Sequence, residues 1–282
     1  MTKKYLTFGF LALFILLGLG CEEVPPVLNP GGGDNGGGGP ISQQRRQVIL
    51  EEFTGVRCVN CPAASEAIEA LLGIHGERLV AVSIHAGFFA VPYPDATAEL
   101  ENSTGTSILN FLGEPLGYPT AVVNRRKFDG EEGRYTAQST WPGYIAQELE
   151  QDPEIRIDLN SNYNDATGSV DIDADLYVDE NIDYEDVRLT VYITESNIVS
   201  PQSTPDSVVV DYVHKHVFRT AVTSFDGDAL NENLSAGSVI NRSLSVTLDP
   251  SWVAEECTVV AFVHRGGGSL DVIQAHEIPV TE

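Results

Sequence analysis

The stretch VILEEFTGVRCVNCP, residues 48–62, joins an apolar run directly to two closely spaced cysteines and a proline. Its first six residues, 48–53, predict a buried β-strand. Apolar residues then recur at helical spacing, which predicts a helix over residues 62–74 with one apolar face. The residues of this face are Ala64, Ile68, Leu71 and Leu72. A strand followed at once by a helix is the repeating unit of an α/β fold.

The same alternation of strands and helices continues downstream. The apolar run LVAVSIH, residues 79–85, predicts a second strand, because a strand covered on both faces needs a nearly continuous apolar sequence. Three further elements are predicted: a helix over 96–112, a strand over 120–124 and a helix over 141–149. We therefore expect an α/β domain over residues 47–152.

Cys58 and Cys61 stand three positions apart, where one helical turn would bring both sulfurs to the same side and within disulfide reach. We expect Cys58 to lie at the N-terminus of the helix and to be reachable from solvent. Free N–H groups and the helix macrodipole would favour its thiolate there. Two alternatives stay open: half of a zinc site that Cys257 or histidines would complete, or a static structural disulfide.

Residues 48–62 also resemble the strand, loop and active-site helix of the thioredoxin superfamily, without a gap. This resemblance implies a redox-active Cys58–Cys61 disulfide, with Cys58 as the nucleophile and Cys61 as the resolving cysteine. Glu52 falls where thioredoxins carry a buried acid, which implies that it carries the proton of the second cysteine. The exchange itself proceeds by attack of a thiolate on a disulfide, through a mixed disulfide.

The segment Gly117-Tyr118-Pro119-Thr120, just before a predicted strand, resembles the loop that holds the cis-proline of the same family. The resemblance implies that Pro119 packs beside the disulfide. It also implies that the backbone around Tyr118 and Thr120 binds the substrate. With this loop, the resemblance covers residues 47–152 and implies a thioredoxin-like α/β domain there.

The apolar pattern changes to a period of two after Pro153, which is typical of strands with one buried face. Strands are predicted near 155–159, 170–176, 187–193, 207–213, 216–222, 241–248, 257–264 and 270–278. About eight short strands within ~130 residues favour an antiparallel, immunoglobulin-like β-sandwich. We assign it to residues 153–282.

The N-terminus has the pattern of an export signal. Two lysines precede an apolar run that is shorter than the ~20 residues needed to span a bilayer, so residues 1–20 predict a signal peptide. The small residues before Cys21 resemble the lipobox of bacterial lipoproteins, which implies that Cys21 is acylated and anchors the chain to a lipid membrane. An uncleaved membrane anchor is the alternative. Residues 21–46, rich in Gly and Pro, predict a flexible tether.

The whole arrangement of lipobox, tether, C-x-x-C-P domain and β-sandwich is similar to the "outer membrane protein twenty-eight" family of Bacteroidetes-like lipoproteins. Two stretches carry the similarity, TGVRCVNCP (54–62) and VVVDYVHKHVFRTAV (208–222). The resemblance implies a lipoprotein of the bacterial outer membrane, on its periplasmic face or at the cell surface. Its partners would be envelope or extracellular proteins.

The net charge of −25 excludes DNA and RNA as partners, because both are polyanions. Asp171, Asp173 and Asp175 alternate with apolar residues, which predicts an acidic outer strand face and not a calcium site.

The isolated histidines and the remaining cysteine predict no cofactor or metal site either. His214 and His216 share one strand face, but two histidines are too few to hold a metal ion. His85 follows the second buried strand, where it would approach the cysteines or simply pack at the strand end. Cys257 opens an apolar strand and predicts a buried, unreactive thiol.

These features predict a tethered lipoprotein that exchanges disulfides with envelope proteins. The alternative is a surface binding or adhesion lipoprotein in which the Cys58–Cys61 bond is only structural, since a fold does not dictate a function.

Overall fold

The computed structural model describes residues 44–113 and 115–281, and they belong to one compact unit of the chain. The predicted signal peptide, Cys21 and the tether up to residue 43 lie outside the described residues. Within the described ranges, no helix is long and apolar enough to cross a membrane.

The first part of the chain alternates strands and helices. Its elements are β1 (Val48–Thr54), α1 (Cys61–His75), β2 (Leu79–His85), α2 (Ser103–Leu112), β3 (Thr120–Val123) and α3 (Trp141–Leu149), with 3-10 turns at Gly76–Arg78 and Gln138–Thr140. The predicted bounds of β2 and α3 are confirmed. The helix predicted from residue 96 begins only at Ser103, because the Asn102 side chain accepts a 2.8 Å hydrogen bond from the Gly105 N–H and caps the helix there.

The second part is built from strands and one 3-10 turn at Ala254–Glu256. The long strands are β4 (Ile155–Asn164), β5 (Ser169–Val178), β6 (Val187–Glu195), β11 (Val217–Ala221), β13 (Val239–Thr247), β14 (Cys257–Arg265) and β15 (Val272–Pro279). The two-residue strands are β7 (Ile198–Val199), β8 (Gln202–Ser203), β9 (Val208–Val209), β10 (Val213–His214) and β12 (Asp228–Ala229). The single strand predicted over 207–213 is therefore wrong, because a turn at residues 210 and 211 separates β9 from β10.

One large sheet contains strands from both parts of the chain. Its order is β15-β14-β6-β11-β2-β1-β3, with β12 beside β6. Strand β1 runs parallel to β2 and antiparallel to β3. The parts join where Val217 of β11 pairs with Ser83 of β2, and the Ser83 N–H donates a 2.7 Å hydrogen bond to the His216 carbonyl. Strands from both sides of the predicted 152/153 boundary thus share one sheet.

A second, three-stranded sheet of order β13-β5-β4 is entirely antiparallel. Its apolar face packs against β6 and β14 of the large sheet, around buried side chains such as Ile157, Ile172, Val191 and Val259. The chain is therefore a mixed α/β region followed by a body rich in antiparallel strands. The two stacked sheets bury the alternating residues that the period-two pattern predicts.

Helix α1 covers one face of the large sheet. Val48 and Leu50 of β1 pack against Ala64 and Ile68 of α1 in one buried cluster. Because side chains alternate along a strand, Glu52 and its even-numbered neighbours in β1 point to this same helix-covered face. The packing is apolar near the start of β1 and becomes polar at its end, where the cysteine loop begins.

Candidate functional site

The two cysteines are joined by a disulfide bond in the loop between β1 and α1, with their Cα atoms 5.4 Å apart. The loop is tight: the Cys58 N–H donates to the Gly55 carbonyl at 3.0 Å, and the Cys61 N–H donates to the Cys58 carbonyl at 3.3 Å. The helix begins at Cys61, and Asn60 is its N-cap. The expectation that Cys58 lies at the helix N-terminus is therefore wrong, because the turn residues 59 and 60 separate it from the helix.

Neither cysteine is open to solvent. Cys58 is 3% exposed and Cys61 is 1% exposed, so the prediction of a solvent-reachable Cys58 is wrong. The cover comes from a distant part of the chain. The Gln202 side-chain amide donates to the Cys58 carbonyl at 3.0 Å, and the Ser203 N–H donates to the Val56 carbonyl at 2.7 Å. We call residues 198–209, which contain β7, β8 and β9, the covering segment.

Arg57 does not direct its charge toward the disulfide. Its Nε and Nη2 donate to the carbonyls of Val91 and Pro92 at 2.7 and 2.9 Å, and its guanidinium stacks over the Tyr93 ring at 4.4 Å. Tyr93 in turn shares a 2.6 Å hydrogen bond with Ser203 of the covering segment. Arg57 therefore stabilises the loop after β2 through these contacts.

Glu52 lies buried at the end of β1, with no exposed surface. The Ser83 hydroxyl donates a 2.9 Å hydrogen bond to its Oε2, and its Oε1 has no hydrogen-bond partner among the described residues. Burial raises the pKa of Glu52 to about 7, because a low-dielectric surrounding disfavours the charged form. A carboxyl group with this pKa can accept and release a proton near neutral pH.

The Tyr118–Pro119 peptide bond is cis. Tyr118 packs edge-on against Phe89, with ring centroids 5.6 Å apart. The Phe89 carbonyl accepts a 2.9 Å hydrogen bond from the Arg57 N–H of the cysteine loop. The segment after β2 thus contacts both the cysteine loop and the loop of Pro119. The next residue, Thr120, is buried, and its hydroxyl donates a 3.1 Å hydrogen bond to the Thr136 carbonyl.

A cavity of about 300 Å³ lies beside the disulfide, and Cys61 forms part of its wall. The buried floor includes Thr54, Ser83 and His85 from the ends of β1 and β2. The opposite wall comes from residues 212–216, of which the sequence singled out only the two histidines. Tyr212 and Gln202 were missed. Gln202 contacts the cysteine loop and Tyr212 lines the cavity from about 150 residues further along the chain, which depends on long-range pairing.

Burial lowers the pKa of all three histidines of this cavity, His85, His214 and His216. Burial lowers the pKa of His214 to about 4, and burial together with nearby His214 lowers the pKa of His85 well below its ordinary value. The two rings meet edge-on, with centroids 5.3 Å apart. His216 sits at the rim, where its Nε2 lies 3.0 Å from a Glu69 carboxylate oxygen.

The other candidate residues lie apart from this site. Cys257 is a buried free thiol in the strand-rich body, and burial raises its pKa to about 12. Asp173 and Asp175 accept hydrogen bonds from Ser243 and Asn241 of the neighbouring strand β13. Among the residues that the structure describes, no three His, Cys, Asp or Glu side chains are grouped to hold a metal ion.

Comparison with known proteins gives relatives of this fold and one family. The chain is similar in fold to HBP35 of Porphyromonas gingivalis, at 22% identity and a TM-score of 0.68, over 84% of this chain and 76% of that one. It also resembles protein AGR_C_4864 from Agrobacterium tumefaciens, at 15% identity and a TM-score of 0.52, over 85% of this chain and 97% of that one. A domain of the outer membrane lipoprotein Omp28 from Porphyromonas gingivalis aligns at 20% identity and a TM-score of 0.33, over 45% of this chain and 88% of that one.

No curated protein sequence matches this chain. The family model described as "Outer membrane protein Omp28" matches residues 114–281, which is more than half of the chain. The matched part contains the Pro119 loop, the covering segment and all strands of the second part. On this match, the chain belongs to the Omp28 family of outer membrane proteins.

Proposed function

We propose that this protein is an outer-membrane lipoprotein that exchanges disulfides with envelope or extracellular proteins at Cys58–Cys61. The observation that carries the proposal is the position of Glu52. A buried acid with a pKa of about 7 lies at the end of β1, the strand that leads directly into the disulfide loop. Such a group can take up the proton that the resolving thiol must lose before its thiolate attacks.

The strand arrangement supports a thioredoxin-like assignment of the first part. Strand β1 lies between a parallel β2 and an antiparallel β3, the cysteine pair precedes α1, and a cis-proline directly precedes β3. The packing of the β13-β5-β4 sheet on β6 and β14 supports the immunoglobulin-like assignment of the second part. Both assignments are part of the proposal.

Both sulfurs would take part in the exchange. In the reduced protein, the Cys58 thiolate attacks a partner disulfide, breaks its S–S bond and forms a mixed disulfide. Cys61 then passes its proton to the Glu52 carboxylate and attacks the Cys58 sulfur, which releases the partner as a dithiol and restores the Cys58–Cys61 bond. Because Cys58 is 3% exposed, the covering segment must move before a protein can reach it.

Exposed apolar side chains near the site favour a protein as the partner. Val59 stands between the cysteines and is 45% exposed, and Phe88 is 83% exposed. Phe88 packs on Phe89, which contacts both the cysteine loop and Tyr118. Apolar side chains held in water near one site are typical of protein-binding surfaces.

The burial of both cysteines favours a second candidate function. In this second function, the Cys58–Cys61 bond is a permanent structural disulfide, and the protein is a surface binding or adhesion lipoprotein. A disulfide sealed beneath the chain exchanges slowly, because exchange requires access of the attacking thiolate to a sulfur atom.

The reduction potential of the pair separates the two candidates. Structural disulfides have potentials below about −300 mV, and exchanging disulfides have higher ones. We expect a value above this limit from equilibration with dithiothreitol, and we expect Cys58→Ser to abolish exchange with a fluorogenic protein disulfide. A potential below the limit, or exchange by Cys58→Ser that equals wild type, supports the structural disulfide and the binding function instead.

The lipid anchor is tested separately. If Cys21 is acylated, wild-type protein incorporates labelled palmitate and fractionates with outer membranes, and Cys21→Ser loses both properties. Cys257→Ser is the matched control, since it removes a buried thiol without touching the proposed anchor. Equal palmitate labelling of wild type and Cys21→Ser contradicts the anchor.

A further inference from the structure

Strand β13 (Val239–Thr247) is an edge strand of the smaller sheet. Within the described residues it pairs only with β5, in a register that runs from Val239 opposite Tyr177 to Thr247 opposite Ser169 without a bulge. An edge strand of nine residues that contains no proline is a template onto which another extended chain can pair. We call the side of β13 that faces away from β5 the open edge.

The register shows which backbone groups of β13 point to the open edge. The Val178 N–H donates to the Ser238 carbonyl at 3.0 Å, and the Leu248 N–H donates to the Gly168 carbonyl at 2.9 Å. Because antiparallel ladders alternate, the even-numbered residues between these two bonds face β5, and the odd-numbered ones direct their N–H and C=O groups outward. The outward residues are Val239, Asn241, Ser243, Ser245 and Thr247. Among the described residues, the one partner of these outward groups is the Arg242 guanidinium, which donates to the Asn241 carbonyl at 3.0 Å.

Two other edge strands are covered by the chain itself. On β4, the Ile157 N–H and C=O are both bonded by the Gln44 side-chain amide at 2.8 Å. On β3, Ala121 exchanges two backbone hydrogen bonds with Thr136, at 2.8 and 3.4 Å. Folded proteins commonly protect their edges in this way. Strand β13 differs from both in presenting its backbone groups to solvent.

The two faces of β13 differ in polarity, and this difference sets the pattern of a strand that could pair with it. On the face toward the large sheet, Ile240 is buried, and Leu244 and Val246 are partly buried against the core. Apolar side chains at alternate positions of an added strand would extend this core. The opposite face of β13 carries exposed polar residues such as Asn241 and Ser243, so the added strand should be polar on that face.

Carboxylates beside the open edge favour a basic partner. Asp173 and Asp175 of β5 extend toward β13, where they accept 2.6 Å hydrogen bonds from Ser243 and Asn241. Asp171 lies on the same face of β5, and β13 itself contains no acidic residue. A strand paired with β13 would lie about 5 Å from it, so its lysine or arginine side chains would reach these carboxylates. The net charge of −25 also attracts a basic segment and opposes pairing with a second copy of the chain.

We propose that the open edge of β13 binds an extended segment of another protein in which apolar and basic residues alternate. The segment pairs with β13 through main-chain hydrogen bonds and extends the β13-β5-β4 sheet by one strand. Its apolar side chains pack beside Leu244 and Val246, and its basic side chains pair with Asp173 and Asp175. This interaction goes beyond the function proposed above, because it does not involve the Cys58–Cys61 disulfide.

Synthetic peptides test the proposal on the full chain by fluorescence anisotropy. The probe is a labelled peptide of alternating valine and lysine that matches the nine residues of β13. We expect it to bind about tenfold more tightly than the valine–glutamate counterpart, because only the lysine peptide complements the aspartates. A lysine peptide methylated at alternate backbone nitrogens should also bind about tenfold more weakly, because it lacks the donors that pair with the edge.

Variants of the chain locate the binding site. Asp173→Asn with Asp175→Asn should weaken binding of the lysine peptide about tenfold, because it removes the carboxylates beside the edge. Asp129→Asn with Asp152→Asn, at exposed positions outside the smaller sheet, is the matched control and should bind as wild type. Equal binding by the two double variants would contradict a site at the open edge.

A proline at an outward position provides a further arm. Because the Ser245 N–H points away from β5, Ser245→Pro removes a donor from the open edge and no bond from the sheet, a position where edge strands tolerate proline. We expect Ser245→Pro to weaken peptide binding about tenfold and Ser245→Ala to leave it unchanged, with thermal unfolding as the check that both variants fold. Should Ser245→Pro not fold, the methylated peptide tests the same donors on the wild-type chain.

The remaining outcomes separate this proposal from its competitors. Equal affinity for methylated and unmodified peptides overturns strand addition. A dimer that sedimentation detects in wild type and not in Ser245→Pro assigns the open edge to a second copy, and peptide binding seen only after deletion of residues 24–40 assigns it to the chain itself. Either result overturns the proposal. Cys58→Ser should bind the lysine peptide as wild type, so a failure of disulfide exchange leaves this proposal standing.

Discussion

Arg125 and Glu51 form a bidentate ion pair in which both side chains have no solvent exposure. The Arg125 Nε and Nη2 each donate a 2.7 Å hydrogen bond to the Glu51 carboxylate, and Nη2 also donates to the Tyr192 hydroxyl at 2.8 Å. Glu51 belongs to β1 and Tyr192 to β6, so the pair ties the α/β region to the strand-rich body. Glu51 points away from α1, on the opposite face of β1 from Glu52.

Removing one member of this pair should strongly destabilise the protein. Arg125→Met leaves the Glu51 carboxylate buried without a partner, which costs about 3–5 kcal/mol of the free energy of unfolding. Tyr192→Phe removes one acceptor of the charged guanidinium and should cost about 1.5–3 kcal/mol. Urea unfolding measures both losses. The double variant Arg125→Met with Glu51→Leu should recover part of the stability, and a double variant no better than Arg125→Met contradicts this account.

Glu52 should make the stability fall as the pH rises. Its pKa is about 7 in the folded state against 4.5 ordinarily, so the folded state holds a proton between these values that the unfolded state has lost. Its stabilising contribution is complete below about pH 4.5 and is lost by about pH 7, a change of about 3 kcal/mol. Glu52→Gln should lose this slope in urea unfolding between pH 4.5 and pH 8.

The comparison with wild type isolates this effect, because burial raises the pKa of Glu277 to about 7 as well and adds a slope of its own. Glu150→Gln, at an exposed position after α3, is the control and should keep the wild-type slope. Equal slopes for Glu52→Gln and wild type would show that the Glu52 carboxyl is not protonated in this range.

Two glycines, one in the cysteine loop and one near the end of α1, should respond oppositely to substitution by alanine. A Cβ on Gly55 would lie 2.4 Å from the Phe89 backbone, so Gly55→Ala must displace the cysteine loop and should cost about 1–3 kcal/mol. Gly73, inside α1, has no atom within 4 Å of an added Cβ, and Gly73→Ala should gain about 0.5–1 kcal/mol. Thermal unfolding of both variants checks the signs. A stable Gly55→Ala protein indicates that the close approach to Phe89 is absent in solution.

Loosening the covering segment should speed reduction of the disulfide. Gln202 donates to the carbonyls of Cys58 and Gly55 at 3.0 and 3.4 Å, and Gln202→Ala leaves both without this partner. Because a lost buried hydrogen bond costs about 1–3 kcal/mol, the segment should open roughly tenfold more often. The rate of Cys58–Cys61 reduction by a bulky protein dithiol measures this opening. The exposed Gln151→Ala is the control, and identical rates for Gln202→Ala and wild type contradict a covering role.

Local patterns predicted most of the secondary structure. The i, i+4, i+7 spacing of Ala64, Ile68 and Leu71 marked α1, because an amphipathic helix needs a continuous apolar stripe whatever it packs against. The run 79–85 marked β2 for the same kind of reason. The region before Ser103 was misassigned, because capping by Asn102 is a contact of one side chain that apolar periodicity does not reveal.

The candidate site was also predictable only in part from local sequence. Close spacing along the chain placed Cys58, Cys61 and Glu52 on one strand, loop and helix, and the cysteines are indeed bonded to each other. The exposure of Cys58 could not be predicted, since Gln202 and Ser203 cover the loop from far along the chain. The residues of the cavity wall at 212–216 were hidden for the same reason.

Local sequence is sufficient for the order of strands and helices, the cysteine spacing and the acid six residues before Cys58, because these depend on neighbours within one or two turns. Long-range packing alone decided that both halves of the chain share one sheet and that both cysteines of the disulfide are buried. It also decided that a cavity flanks Cys61. Those features arise from pairing between distant strands, and the free energy of such pairing depends on the whole packed core and not on any local pattern.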